Sequence, residues 1–331
     1  MEAFPAQSPG AKEAHTTSLQ AAVTATARLH FGFLDPSGRG KRPFGSFGLS
    51  LDRPLTRLVL KRAQALKVSG PERERALRYL RNIAASCGVA DAYALHIEEA
   101  IPPHAGLGSG TQLALAVGSA FAALEGIPLS PEEIAARLQR GARSGIGIAT
   151  FALGGAVLDG GPDKGALPPL ISRLPFPADW RVLLIFDPGS KGLAGESETA
   201  AFTSLPDFPE SATEELYRRI TLGALPALAK ADFKTFCEQV GYLQACMGAY
   251  FAPLQGGAYQ SARVSQALDW LRRQGVTGLG QSSWGPTGFA FAASQLEGEA
   301  LLAEAQAHAQ HTGLRFELAR GRNEGAKIKT T

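Results

Sequence analysis

The stretch IPPHAGLGSGTQLALAVG, residues 101–118, decides how the whole chain is read. Gly106, Gly108 and Gly110 allow backbone conformations closed to other residues, so successive N–H groups of this loop can converge on an anion. From Thr111 onward, Leu113, Val117, Ala120, Phe121 and Leu124 recur at helical spacing. The loop therefore opens a helix whose unpaired N–H groups and positive dipole end face the same spot. Ser109 and Gln112 have the spacing of a capping box at its start. The pattern is neither the Walker G-x-x-x-x-G-K-[ST] loop nor the Rossmann G-x-G-x-x-G. Such a loop holds a phosphate without a lysine, and by itself it fits an unliganded strand-to-helix turn equally well.

The 331 residues suffice for two domains or one large α/β unit, and 45% hydrophobic with 19% charged residues is globular composition. A net charge of +3 is too small to point to nucleic acid. Cys87, Cys237 and Cys246 show neither zinc spacing nor an even disulfide framework, so reduced thiols are expected. Residues 1–20 have no apolar signal core, and no run of about eighteen apolar residues suggests a membrane span. The expectation is a cytoplasmic protein with a loose N-terminal tail.

Residues 21–35 read as one or two strands, 46–51 as a returning strand, and 57–68 as either a strand or a short helix. Residues 71–88 open with Pro and acids and close on Gly, a helix signature; 92–102 alternates and feeds the glycine loop. Ser130, Pro131 and Glu133 start another helix, expected to run to about Ser144, and 146–161 reads as a strand. The Gly- and Pro-rich stretch 161–179 suggests a boundary, with domains at 18–165 and 166–331. Beyond it come a buried strand at 181–188, helices at 213–230, 232–248 and 261–274, a strand at 287–293, a helix at 295–310 and a strand at 314–319. That order suits an α+β fold.

The glycine loop resembles the second signature of the GHMP kinase superfamily, a Pro-x-x-x-Gly-Leu-Gly-Ser-Ser run before a helix. ARLHFGF (27–33) sits where that superfamily has its first motif, and GLGQSSWGPTGFAF (278–291) where it has its glycine-rich third. The resemblance implies a two-domain GHMP kinase-like α+β fold. Many of those kinases carry Ser-Gly-x-Asp after the second helix, the Asp acting on the substrate hydroxyl. Here the run is SGIG (144–147), with Gly147 in that place, which counts against phosphoryl transfer.

Residues 28–51, 102–118, 192–202, 278–291 and 323–326 together resemble the β-ribofuranosylaminobenzene 5′-phosphate synthase branch of the superfamily. The resemblance implies that 4-aminobenzoate condenses with phosphoribosyl pyrophosphate, releasing pyrophosphate and carbon dioxide, in tetrahydromethanopterin biosynthesis. No hydroxyl has to be deprotonated to act as the nucleophile in that reaction. It also implies a homodimer, and Mg²⁺ is expected because magnesium bridges phosphate oxygens through few protein ligands. The partners are small-molecule substrates, with neither nucleic acid nor membrane.

The phosphate cradle falls on His104, Gly106, Leu107, Gly108, Ser109, Gly110, Thr111 and Gln112. Arg28 and His30 are candidates for an anionic group or proton transfer. Asp35 is either a ribose or metal contact or a turn aspartate before Pro36. Lys191, Glu196 and Glu198 lie on a loop that is either a charged lid or a solvated segment. Ser282, Ser283, Trp284 and Gly285 offer hydroxyls, N–H donors and a ring to stack on the acceptor, the other reading of Trp284 being a core residue. Arg39, Lys41 and Arg42 either close over the pyrophosphate or form a solvated basic turn. The metal ligands are not readable. Two other functions remain open: an ATP-dependent GHMP small-molecule kinase with its base relocated, and a non-catalytic ligand-binding relative.

Overall fold

The computed structural model describes residues 19–37, 43–90, 92–163, 165–192, 201–202 and 204–331. Its first sheet is organised by two long antiparallel strands, β1 (Gln20–Asp35) and β2 (Phe44–Arg62), paired along nearly their full length. β2 then branches. Its second half pairs with β4 (Tyr93–Glu99), which carries the short parallel β3 (Lys67–Ser69), and its first half pairs with β5 (Ala156–Asp159). β6 (Leu170–Leu174) extends the sheet beyond β5, and β11 (Lys327–Thr330) pairs with the start of β1. Of residues 57–68, 57–62 are the end of β2, paired with β1 and β4, and 67–68 belong to β3 at the sheet edge, with a short turn between them; none are helix.

Helices α1 (Arg73–Ser86), α2 (Ser109–Glu125), α3 (Pro131–Arg137) and α4 (Ile146–Leu153) cover one part of this sheet. α2 is buried almost all round, so its residues repeat no polar stripe. The Ser130–Glu133 capping box forms in both directions, but α3 stops at Arg137 because Gln139 and Gly141 take positive φ and turn the chain back. Residues 146–153 are helix, not the expected strand. Ile146, Ile148 and Phe151 are buried, and in a run this continuously apolar the sequence does not separate a buried strand from a buried helix.

The second sheet is antiparallel, in the order β10 (Arg315–Arg320), β7 (Arg181–Phe186), β9 (Gly288–Ala292), β8 (Leu279–Gln281). One face packs on α8 (Ala262–Arg273) and α9 (Gln295–His308). The other meets the first sheet and α7 (Phe233–Gln255) in a shared core, where Phe31, Phe47, Phe176, Phe236, Phe289 and Phe291 contact one another in edge-to-face and tilted pairs. α5 (Glu210–Arg219) continues through a π-helical turn, Ile220–Ala224, into α6 (Leu225–Ala229). Cys87, Cys237 and Cys246 are free thiols. Among the described residues no helix is long and apolar enough to cross a membrane.

Asp159, at the end of β5, anchors the turn that launches α4. Its carboxylate accepts from Ser46 N and Gly161 N at 3.1 and 3.0 Å, from Gly145 N at 2.8 Å, and from the Ser46 hydroxyl at 2.5 Å. Burial pushes its pKa up, and these donors offset only part of that rise. Asp159→Ala leaves three buried N–H groups without an acceptor and is expected to cost about 3 kcal/mol, measured by urea unfolding. An unchanged unfolding midpoint contradicts this anchoring role.

Candidate functional site

The site grows out of β1. Two register breaks, between Thr26 and Arg28 and between His30 and Gly32, flank a three-residue segment and re-aim its side chains. Arg28 N donates to Leu107 O at 3.1 Å, and its Nη1 donates to Gly106 O at 2.5 Å. Gly106 and Gly108 have φ of 77° and 80°, left-handed values that glycine takes at little cost. A Cβ on Gly106 would stand 2.2 Å from Ser282 O, so the glycine loop and the 282–285 loop touch backbone to backbone. The buried Ser282 hydroxyl joins all three pieces. It accepts from His30 N at 3.1 Å and donates to Gly106 O at 2.7 Å, while Ser283 N donates to His30 O at 3.1 Å. Gly192 N in turn donates to His104 O at 2.9 Å, bringing the exposed Lys191 beside the glycine loop.

α2 begins at Ser109 behind Gly108 in left-handed conformation, with no side-chain cap. The expected Ser109–Gln112 capping box is therefore corrected. Gln112 is fully buried, and its Nε2 donates instead to Gly147 O at 2.8 Å, tying α2 to α4. Gly147 is buried, and a Cβ there would press to 2.9 Å from Thr111 Cγ2. The space that a carboxylate at 147 would need is already occupied by α2. Asp35 is buried and accepts from Ser37 N and Oγ at 3.2 and 2.6 Å, so one of its oxygens serves its own turn. Asn323, in the C-terminal NEGA run, ties down the backbone of Phe176. Glu196 and Glu198, with Arg39, Lys41 and Arg42, lie outside the described residues.

Two arginines join the loop that sequence reasoning missed. The Cβ position of Gly110 lies 3.3 Å from Arg140 Nη2 and 3.7 Å from Arg75 Nη1. Arg140 donates to Thr111 Oγ1 at 3.3 Å, and Arg75 pairs with Glu72 at 3.2 Å and reaches His104 Nε2 at 3.4 Å. Arg75 lies on α1 and Arg140 in the turn after α3, with no local pattern to set them apart from surface arginines. With Arg28 they put three guanidinium groups around the first turn of α2, a setting suited to a polyanion.

Beside this cationic face lies an aromatic pocket walled by His30, Phe33, Met247, Phe251 and Trp284, with Gln244 and Gln281 among its polar lining. Trp284 packs against Phe251 at 4.5 Å between ring centroids and against Phe202 at 5.4 Å, so it is both a core residue and a wall of the pocket. Gln244 Oε1 accepts from Gln281 N, and Gln281 Oε1 accepts from Gln260 N, both at 2.7 Å. His30 is different. It is 3% exposed, and neither ring nitrogen has a hydrogen-bond partner among the described residues. Burial, aided by the Arg28 charge, lowers its pKa to about 3, so the imidazole is neutral near pH 7.

Both halves of the chain match models of the GHMP kinases, the N terminal domain over residues 73–155 and the C terminal domain over 224–311. Mevalonate pyrophosphate decarboxylase from Streptococcus pyogenes has the same fold, with a TM-score of 0.66 at 14% identity over 93% of this chain and 98% of its own. Beta-ribofuranosylphenol 5′-phosphate synthase from Archaeoglobus fulgidus is 32% identical over 82% of this chain and 88% of its own. The Methanothermobacter thermautotrophicus protein of the same name is 26% identical over 80% and 86%. The chain belongs to this synthase family within the GHMP kinase fold, and it is an enzyme.

The low pKa of His30 has a consequence for stability. Below pH 6.5 the unfolded chain takes up a proton that the folded chain refuses until about pH 3. The contribution of His30 to stability is therefore complete above pH 6.5 and lost as pH falls. Between pH 7 and pH 5 the wild type is expected to lose about 2 kcal/mol more than His30→Gln in urea unfolding. Parallel losses in both proteins contradict the neutral, buried imidazole.

Proposed function

We propose that this enzyme transfers the 5-phosphoribosyl group of phosphoribosyl pyrophosphate to the ring carbon of a para-substituted benzoate. The reaction releases pyrophosphate and carbon dioxide and leaves a C-riboside, in the route to tetrahydromethanopterin. The observation that carries this reading is the junction at Ser282, where a cationic anion cradle and an aromatic pocket share one wall. A phosphorylated, pyrophosphate-bearing sugar suits the first, and a benzoate suits the second. The sequence reading favours 4-aminobenzoate, whereas the relatives' name specifies a phenol product, which corresponds to 4-hydroxybenzoate. The same chemistry serves both acceptors, because each places an electron-donating group opposite the carboxylate.

Departure of pyrophosphate leaves an oxocarbenium-like ribose C1. Loop N–H groups and the Arg28, Arg75 and Arg140 guanidinium groups stabilise the departing anion. The ring carbon bearing the carboxylate attacks C1, and loss of carbon dioxide restores aromaticity. A kinase-type base is not needed, in keeping with Gly147 and with Thr111 filling the space beside it. Among the described residues no group of three His, Cys, Asp or Glu side chains could hold a metal ion. The side chains nearest the loop are arginines, so magnesium would come coordinated by the phosphate oxygens of the substrate, a mode that needs few protein ligands.

Purified protein given phosphoribosyl pyrophosphate, Mg²⁺ and carboxyl-labelled 4-aminobenzoate or 4-hydroxybenzoate is expected to release labelled carbon dioxide and pyrophosphate in equal amounts. Release of neither, with ATP consumed on an alcohol acceptor, overturns the reading in favour of a kinase. Arg140→Ala is expected to raise the KM for phosphoribosyl pyrophosphate about tenfold to a hundredfold, the worth of one charged hydrogen bond. Ser109→Arg, which fills the anion site, is expected to abolish turnover.

A further inference from the structure

The aromatic pocket spends nearly all of its buried polar side chains on itself. Gln244 bridges Phe31 O and Gln281 N, and Gln281 bridges Gln260 N and Ser283 O. Gln255 donates to Ala258 O, and the Tyr259 hydroxyl accepts from Arg272. What remains is His30, nine-tenths buried and more, with both ring nitrogens unpartnered among the described residues and its ring on the pocket wall. A buried imidazole without a partner costs free energy that a bound ligand can return. Phe33, Phe251, Met247 and Trp284 around it offer only apolar contact to a ring.

Resting on the reading under Proposed function, we propose that the para hydroxyl or amino group of the acceptor donates its hydrogen to the His30 imidazole, which makes His30 the residue that selects benzoates carrying a donor opposite the carboxylate. The geometry requires a neutral acceptor nitrogen, and burial beside Arg28 keeps the ring neutral. An imidazole this weakly basic leaves the free acceptor un-ionised. As the ring–C1 bond forms, the C1–oxygen pair departs on pyrophosphate, the ring becomes cationic, and its para O–H or N–H turns strongly acidic. The hydrogen then moves to His30. When the C–CO₂ bond breaks, its electron pair returns to the ring and the proton goes back to the para atom. No proton, oxidant or reductant is consumed over the cycle.

The test measures equilibrium binding of 4-hydroxybenzoate, 4-methoxybenzoate and benzoate to the full-length wild type, His30→Leu and His30→Gln, alongside kcat and KM for 4-hydroxybenzoate. The wild type is expected to favour 4-hydroxybenzoate over the two acids lacking a donor by about tenfold, the worth of one buried hydrogen bond. His30→Leu should bring that ratio close to one, and His30→Gln, which keeps an acceptor, should restore part of it. Equal binding of all three acids to the wild type overturns the proposal without recourse to a variant. A preference that persists in both variants overturns the His30 assignment while the synthase reading stands. Absence of binding of any acid, together with no release of carbon dioxide by the wild type, overturns both.

Discussion

The Ser282 hydroxyl is the contact on which the site depends. It accepts from the β1 backbone at His30 and donates to Gly106 of the glycine loop, so it fixes a strand of the first sheet and a loop of the second against the start of α2. The approach is close enough that Gly106 can carry no side chain. Each hydrogen bond here is buried and directional, so the three segments have few alternative arrangements. Three segments tied together this way are positioned before any substrate arrives, which suits the proposed reaction of an aromatic nucleophile with a sugar losing an anion.

Electrostatics divides the site in two. Around the first turn of α2, three arginines and a helix N-terminus concentrate positive charge. A few ångströms along β1, His30 sits in an apolar wall and stays neutral, partly because Arg28 is its neighbour. The residue spacing of one strand thus supplies a cation and a neutral acceptor side by side. The bulges at either end of that segment are what allow Arg28 to lie along the glycine loop while His30 lines the pocket.

The GHMP kinase fold is kept, yet the place of the kinase carboxylate is closed. Gly147 packs on Thr111, and its carbonyl is taken by Gln112, so α4 approaches α2 more closely than a larger residue would allow. Asp159 holds the turn that sets this approach. In this chain the packing of α4 against α2, and not the residue at 147 alone, leaves no room for a larger side chain there.

Much of this was legible in the sequence. The glycine loop, the strands around ARLHFGF and the third motif could be placed because turn glycines and apolar periodicity are local signals. The proposed cradle at Gly106–Gln112 came from them, whereas the candidates Arg28, His30 and Trp284 came from the resemblance to the family's motifs. Where local signals conflicted with burial, they failed. Residues 146–153 are a nearly continuous apolar run that reads as a strand yet is helical, and Gln112 has cap spacing yet is drawn to Gly147. The short strands β3 and β11 exist through partners far away in the chain. Composition, motif order and helix starts were determined by the sequence alone. Tertiary structure decided that Arg75, on α1, and Arg140, in the turn after α3, meet Gly110, and that His30 has no hydrogen-bond partner among the described residues, because both depend on contacts between residues that no local spacing relates.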